Sequence, residues 1–250
     1  LLLGNAYGGC ALSRPKSERP ALLKKALEAY NQYLKEYGEK GASVPDAVYG
    51  RAVILFELGE FDEAVKDLDR FEERFAGSRI AMDAEQLLAK VYAGMASKLF
   101  KEKKSVDAEA ALKMAEQRFE KVGVQEKNPV LSNEALFSAG KTFLDFSQYD
   151  KALDYFRRVR PKEELIEYQR AKVDKLREQR LALVRESGKE NDSLKSDVQR
   201  ETGKLNRLLD RFDLYLAAQQ YVAQVFLAQQ KYDESIVVNQ RYMPFFDDEL

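Results

Sequence analysis

Apolar residues recur three and four positions apart along most of the chain, in short stretches interrupted by glycine or by acidic turns. The cleanest stretch is 45–78, PDAVYGRAVILFELGEFDEAVKDLDRFEERFAGS. In its first half Val48, Ala52, Leu55 and Phe56 fall on one helical face at i, i+4, i+7 and i+8. In its second half Phe61, Ala64, Val65, Leu68, Phe71 and Phe75 do the same. Ser43-x-Pro45-Asp46 is a helix start signal and Gly59 a stop, so two amphipathic helices joined by a tight turn are predicted. Neither is long enough to persist alone in water, and each must stack on neighbours.

The pattern repeats. Ala52, Leu55 and Ala64 have counterparts in Gly140, Phe143 and Ala152, and in Ala223, Phe226 and Ser235. The small residues are 12 apart each time (64 − 52, 152 − 140, 235 − 223). The turns match as well: Glu60-Phe61-Asp62-Glu63, Gln148-Tyr149-Asp150-Lys151 and Lys231-Tyr232-Asp233-Glu234. Two further copies carry wider spacings, 19 from Ala89 (with Tyr92) to Ala108 and 22 from Gly4 (with Tyr7) to Ala26. Their second helices keep the ladder, as Ala108-Leu112-Ala115-Phe119 and Ala26-Tyr30-Tyr33-Tyr37. Small residues suit a close helix crossing, and large ones fill the gap to the next copy. The extra residues are assigned to inserted loops at 8–19 and 93–105, rich in Gly, Ser, Lys and Pro. The opening LLLGNAYGGCA lacks the charged segment of a secretion signal ending at Cys10, and is taken as a truncated helix ending at Gly8-Gly9. A chain that opens mid-helix is expected to be an excerpt of a longer protein.

These spacings resemble tetratricopeptide (TPR) repeats, with a small residue, a large apolar residue three later, and alanine twelve after the small one. The resemblance implies an all-α fold, a TPR-type α-solenoid in which helical hairpins wind into a right-handed superhelix. It also implies a concave groove lined by the first helices, where a partner peptide would lie. Groove positions by register are Asp46, Tyr49, Val53 and Phe56, then Asp83, Gln86 and Lys90, then Glu134, Phe137, Lys141 and Leu144, then Gln220, Gln224 and Leu227. Aromatic residues are over-represented among binding hot spots, which singles out Tyr49, Phe56 and Phe137; the alternative for each is burial against a neighbouring helix. The Lys and Asn positions that hold a chaperone's C-terminal carboxylate in some TPR proteins are not matched here. Ladders ending in Gly or Gly-Ser, as in FEERFAGS and YNQYLKEYGEKG, are similar to TPR proteins of the bacterial cell envelope, including outer-membrane assembly lipoproteins and Tol–Pal-associated periplasmic proteins. That style implies a periplasmic or envelope location, with the cytoplasm left open. Departures are Arg51 in place of leucine, Ser235 and Asn239 in place of alanine and a large apolar residue, a ladder lost after Val159, and Pro244, which should end the last helix.

Residues 161–213 break the pattern. A charged helix with a sparse seam of Ile166, Val173, Leu176 and Leu183 leads to Ser187-Gly188-Lys189-Glu190-Asn191-Asp192. Leu194, Val198, Leu205, Leu208, Phe212 and Tyr215 then form a heptad seam, with Glu201 as its polar interruption. Ser187-x-x-Glu190 and Asp192-Ser193 supply start signals for the return helix. An antiparallel coiled-coil hairpin is expected, with arms of roughly 25 residues reaching about 35–40 Å. The organisation is therefore 1–160, about four repeats; 161–213, the long hairpin; and 214–250, a further repeat. The hairpin either projects as a docking arm, its tip at Ser187, Gly188, Lys189 and Glu190, or stacks on the solenoid as two elongated repeat helices.

Composition narrows the chemistry. Lysine and arginine number 41 against 42 acidic residues, so overall charge marks neither nucleic acid nor anionic membrane as the partner. There is no histidine, which removes the commonest general base and metal ligand. The single Cys10 cannot form an internal disulfide. Asp62-Glu63 lies at a helix start, where acids favour the helix dipole, and Asp247-Asp248-Glu249 is expected to be solvated. Gly8-Gly9 lacks the lysine and preceding strand of a phosphate loop. No run of about 18 apolar residues exists to span a bilayer. No enzyme, cofactor or metal site is expected. What remains is a scaffold or assembly subunit of a larger complex, or an adaptor that takes a peptide in its groove. Self-association through the hairpin is a further option.

Overall fold

The computed structural model describes residues 1–38, 41–126 and 128–242, and among these there is no strand. Pro244 and Asp247–Glu249 lie outside the described residues. The chain divides into two compact units, Leu1–Gln125 and Glu126–Leu250.

The first unit comprises α1 (Leu2–Leu12), α2 (Arg19–Tyr37), α3 (Val44–Leu58), α4 (Phe61–Leu68), α5 (Phe71–Arg74), α6 (Ala81–Lys101) and α7 (Ser105–Gly123). α1 pairs with α2, α3 with α4, and α6 with α7; the hairpins stack through α2 on α3 and α4 on α6. This is the stacked-hairpin arrangement the repeats predict. α1 does not stop at Gly8-Gly9 but runs to Leu12. A Cβ at Gly4 would come within 2.8 Å of the Tyr30 ring, and one at Gly8 within 3.2 Å of an Ile54 methyl. Close packing explains Gly8 of the expected stop, while Gly9 faces open space. The second helix of the 45–78 stretch is also interrupted: Asp69 is extended and Arg70 left-handed (φ +54), so α4 ends and α5 adds one turn. Arg74 donates to the Asp67 carbonyl at 3.0 Å across the break. Phe71 and Phe75 nevertheless stay buried, edge to face at 4.8 Å.

The second unit comprises α8 (Pro129–Asp145), α9 (Tyr149–Arg157), α10 (Lys162–Ser187), α11 (Asp192–Leu209), α12 (Leu214–Ala228) and α13 (Tyr232–Tyr242). α8 pairs with α9, α10 with α11, and α12 with α13, while α12 also packs on both α8 and α9. The hairpins on either side of α10–α11 in sequence thus stack directly on one another in space.

Four hairpin turns share one geometry. Gly59 (φ +76), Lys103 (+61), Ser147 (+58) and Gln230 (+60) are all left-handed. The following amide reaches back five residues each time: Glu60 to the Leu55 carbonyl (2.9 Å), Lys104 to Leu99 (3.0 Å), Gln148 to Phe143 (2.8 Å) and Lys231 to Phe226 (2.8 Å). This is a Schellman closure, which satisfies carbonyls left over at the end of the first helix. It corrects the register of the third copy. Leu99, not Tyr92, matches Leu55, and the fully buried Ala96, not Ala89, is the small residue. The spacing is then 12 there too (108 − 96), and three successive copies recur every 44 residues (96 − 52, 140 − 96). The stretch 93–105 is helix as far as Lys101 and not an inserted loop. Ala89 and Ala96 are seven residues apart, nearly on one helical face, so spacing alone did not separate them; the turn does.

α10, 26 residues, spans about 39 Å. Its inward stripe is Leu165, Gln169 and Val173, continuing through half-buried Leu176 and Val184. Ile166 is only half-buried and Leu183 is exposed, which corrects the seam expected on this helix. The observed stripe advances in steps of 11 (Leu165 to Leu176, Val173 to Val184), the period of a nearly straight helix and not of heptads. On α11 Val198 and Leu208 are buried and Leu194 and Leu205 half-buried, whereas Phe212 lies past its end and is exposed. Asn191 caps α11, its side chain accepting from the Leu194 amide at 3.0 Å, the role expected of Ser187 or Asp192.

Candidate functional site

The structure places the predicted groove residues in two sets. In the first unit Tyr49, Val53 and Phe56 are half-buried and packed on the core shared by α3, α4 and α6, with the Phe56 and Phe61 rings 6.0 Å apart. Asp46 and Asp83 are half-buried too. Gln86 is buried at 6% exposure and so presents no surface to a partner. In the corrected register it lies in the seven additional residues at the start of α6. Lys90 moves to the position of Asp46 (96 − 90 and 52 − 46 are both 6), and Ala93 and Ser97 take the positions of Tyr49 and Val53.

In the second unit Phe137 meets Phe156 edge-on at 6.0 Å and Tyr221 at 5.7 Å. Tyr221 stacks on Phe156 with centroids 5.4 Å apart and planes 8° from parallel. Exposed Lys141 holds its Nζ 5.5 Å from the Tyr221 centroid and 5.9 Å from that of Phe137. Such a cation over two ring faces stabilises both the lysine position and the rings, by about 0.5–1 kcal/mol per contact at an exposed site. Gln220, Gln224 and Leu227 are exposed on α12; Leu144 is half-buried, and Glu134 is tied to Arg211. Sequence reasoning missed Tyr221. Its signal was its place, two residues before Ala223 and next to groove position Gln220. A Cβ at Gly140 would come within 2.6 Å of the Phe156 ring, so glycine there lets α9 bring Phe156 under Phe137.

The hairpin forms the third set. Gly188 is left-handed (φ +67) and ends α10. Ser187 Oγ donates to the Leu183 carbonyl at 2.6 Å and accepts from the Lys189 amide at 3.3 Å. Glu190 receives both arms of Arg180, at 2.5 and 3.2 Å; that hydrogen bonding holds the Glu190 carboxyl below and the Arg180 guanidinium above its usual range. Lys189 is exposed. Midway along, Glu201 is 3% exposed, and Gln169 Nε2 donates to its Oε2 at 3.1 Å and to its carbonyl at 3.0 Å. Lys172 (3.1 Å), Lys204 (3.0 Å) and Arg200 (3.4 Å) complete the shell. Burial pushes the Glu201 carboxyl up, but hydrogen bonds from Gln169, Lys204 and Lys172 outweigh it and bring it down to about 2. At the root Asn133, 1% exposed, donates to the Arg160 carbonyl (2.8 Å) and accepts from its amide (2.9 Å). Lys162 Nζ donates to the Leu209 and Arg211 carbonyls at 2.9 and 2.6 Å.

Among the described residues no group of three or more Cys, Asp or Glu side chains is placed to hold a metal, and Cys10 is exposed on α1. No helix among the described residues is long and apolar enough to cross a membrane.

A tetratricopeptide-repeat family model matches residues 23–79, from α2 through α5. No curated protein matches the chain in sequence. Tetratricopeptide repeats generally mediate protein–protein interaction. Four turns of one geometry, stacked helical hairpins in each unit and the family match across α2 to α5 give an all-α fold of tetratricopeptide-repeat, solenoid type, with residues 23–79 matching the tetratricopeptide-repeat family itself.

Proposed function

We propose that the chain is a non-catalytic scaffold, a structural or assembly subunit of a larger bacterial, envelope-associated complex, with the antiparallel helical hairpin α10–α11 as a docking arm. The observation that carries the arm is topological: α12 packs on α8 and α9, so the two repeats close up without α10–α11, which pair chiefly with each other. A 44-residue excursion (26 + 18) that its neighbours do not need for packing is explained by a contact outside the stack. Envelope location rests on the style of the repeats alone. The test is recovery of partners on the full chain with Ser187–Asp192 deleted. Loss of the complex with unchanged helicity supports the arm; undiminished recovery removes it.

The second reading, a peptide-binding adaptor, is favoured by the Phe137–Tyr221–Lys141 face, where aromatic rings and a cation remain partly accessible. Phe137→Ala or Tyr49→Ala would abolish binding under this reading while deletion of the tip would not. If neither change alters recovery, both locations are wrong.

A further inference from the structure

The turn between α6 and α7 has the backbone of its three siblings but a different surface. The residue two before the buried small residue of the second helix is Asp62, Asp150 and Asp233 in the siblings; here it is Val106, 81% exposed. The left-handed residue and its successor are Gly59-Glu60, Ser147-Gln148 and Gln230-Lys231 elsewhere, and Lys103-Lys104 here. Two positions before the left-handed residue stand Glu57, Asp145 and Ala228; here it is Lys101. Phe100 is 62% exposed, as is its counterpart Leu227 at 56%, whereas Phe56 and Leu144 are half-buried. Four lysines (98, 101, 103, 104) against Glu102 give +3 over seven residues (4 − 1). Lys104 pairs with Glu102 at 2.8 Å, which leaves Lys98, Lys101 and Lys103 without an ion pair among the described residues.

Lys98 and Lys101 suit the last turn of α6, where the helix dipole favours cations, but the Lys103-Lys104 pair and the exposed Val106 have no counterpart, since every sibling carries aspartate at the Val106 position. Helix physics opposes part of it: the start of α7 favours acidic side chains, not Lys103 and Lys104. An exposed valine and phenylalanine gain nothing from water. Where local preference is overridden at several linked positions, the compensation is sought in function. Two apolar side chains flanking a turn, ringed by lysines on long flexible stems, match an anionic bilayer. The apolar groups enter the acyl boundary while the ammonium groups stay at the phosphates. An acidic protein face would satisfy the lysines but offers nothing to Phe100 and Val106. We infer that the α6–α7 turn docks peripherally on an anionic lipid surface. The chain's balanced total charge conceals the patch because most of the acids lie elsewhere, Glu102 and Asp107 excepted.

The test is co-sedimentation of the full chain with phosphatidylglycerol/phosphatidylcholine vesicles against phosphatidylcholine alone. Binding is expected only to the mixed vesicles and should weaken as salt rises. Lys101→Glu with Lys103→Glu should lower partitioning by at least about 20-fold, taking roughly fivefold per lysine. Phe100→Ala and Val106→Asp should each lower it several-fold. Val106→Asp installs the siblings' residue, so its melting temperature should hold or rise, which separates lost docking from lost folding. No binding to the mixed vesicles, equal binding to both kinds, or unaltered binding by all these variants overturns the proposal. Capture by polyglutamate without vesicle binding assigns the turn to an acidic protein instead and also overturns it.

Discussion

Arg51 stands where the repeat favours leucine, and the structure supplies its partner. Its guanidinium grips both oxygens of Asp67 and reaches Asn31 Oδ1 at 3.0 Å, while Asp67 is only 5% exposed. Removing one side of such a pair leaves a buried charge uncompensated. Arg51→Leu should therefore destabilise by about 2–4 kcal/mol, with most of the loss recovered in Arg51→Leu/Asp67→Ala, as chemical denaturation will measure. Ser235 is a milder case. Its buried hydroxyl donates to the Ala223 carbonyl at 2.9 Å, so serine fits the alanine position without an orphaned polar group. Ser147 and Gln230 hold a left-handed conformation that only glycine adopts without steric cost. Ser147→Gly and Gln230→Gly should each raise stability by about 0.5–1 kcal/mol, and Gly59→Ala should lower it by a similar amount, read as shifts in the unfolding midpoint.

At the scale of elements, α10 and α11 have a thin apolar seam fixed in register by Gln169 and Glu201. A buried polar pair of this kind is matched only in one alignment of the two helices. Gln169→Ala should cost about 1–3 kcal/mol, because Glu201 loses two donated hydrogen bonds in a buried site. The pH dependence has a definite sign. The Glu201 carboxyl titrates near 4.5 when unfolded and is lowered to about 2 in the fold. Its stabilisation is therefore complete above about pH 4.5 and is lost as pH falls towards 2. Melts between pH 7 and pH 2.5 should show a steeper acid loss in the natural chain than in Glu201→Gln. The root is held by Asn133, whose amide matches both polar groups of the Arg160 peptide. Asn133→Ala should speed hydrogen exchange across 158–166 and cost about 2–3 kcal/mol through two unmade buried bonds.

At the scale of the molecule, the decisive contact is α12 on α8 and α9. If the repeats close up without the hairpin, residues 162–209 can be replaced by a short Gly-Ser linker from Pro161 to Asp210. The ends are close enough for Lys162 to bond the Leu209 and Arg211 carbonyls. The shortened chain should lose helical signal in proportion to 44 residues and still unfold cooperatively; collapse of the cooperative transition would make the hairpin part of the core.

Local chemistry made much of this legible from sequence. Helical periodicity, the Gly59 stop and the 12-residue spacing depend on residues close in the chain, so hairpins and buried repeat residues such as Ala64, Phe119 and Phe143 follow from them. What sequence left undecided was long-range. Ala89 and Ala96 share a face, and only the turn at Lys103 chooses between them. Gly8 looks like part of a helix stop until Ile54 arrives from another helix. Tyr221 joins Phe137 and Phe156 across 84 and 65 residues (221 − 137, 221 − 156), a meeting that no spacing encodes. Periodicity fixes which side of a helix is apolar; which neighbour covers that side is settled only when the helices stack.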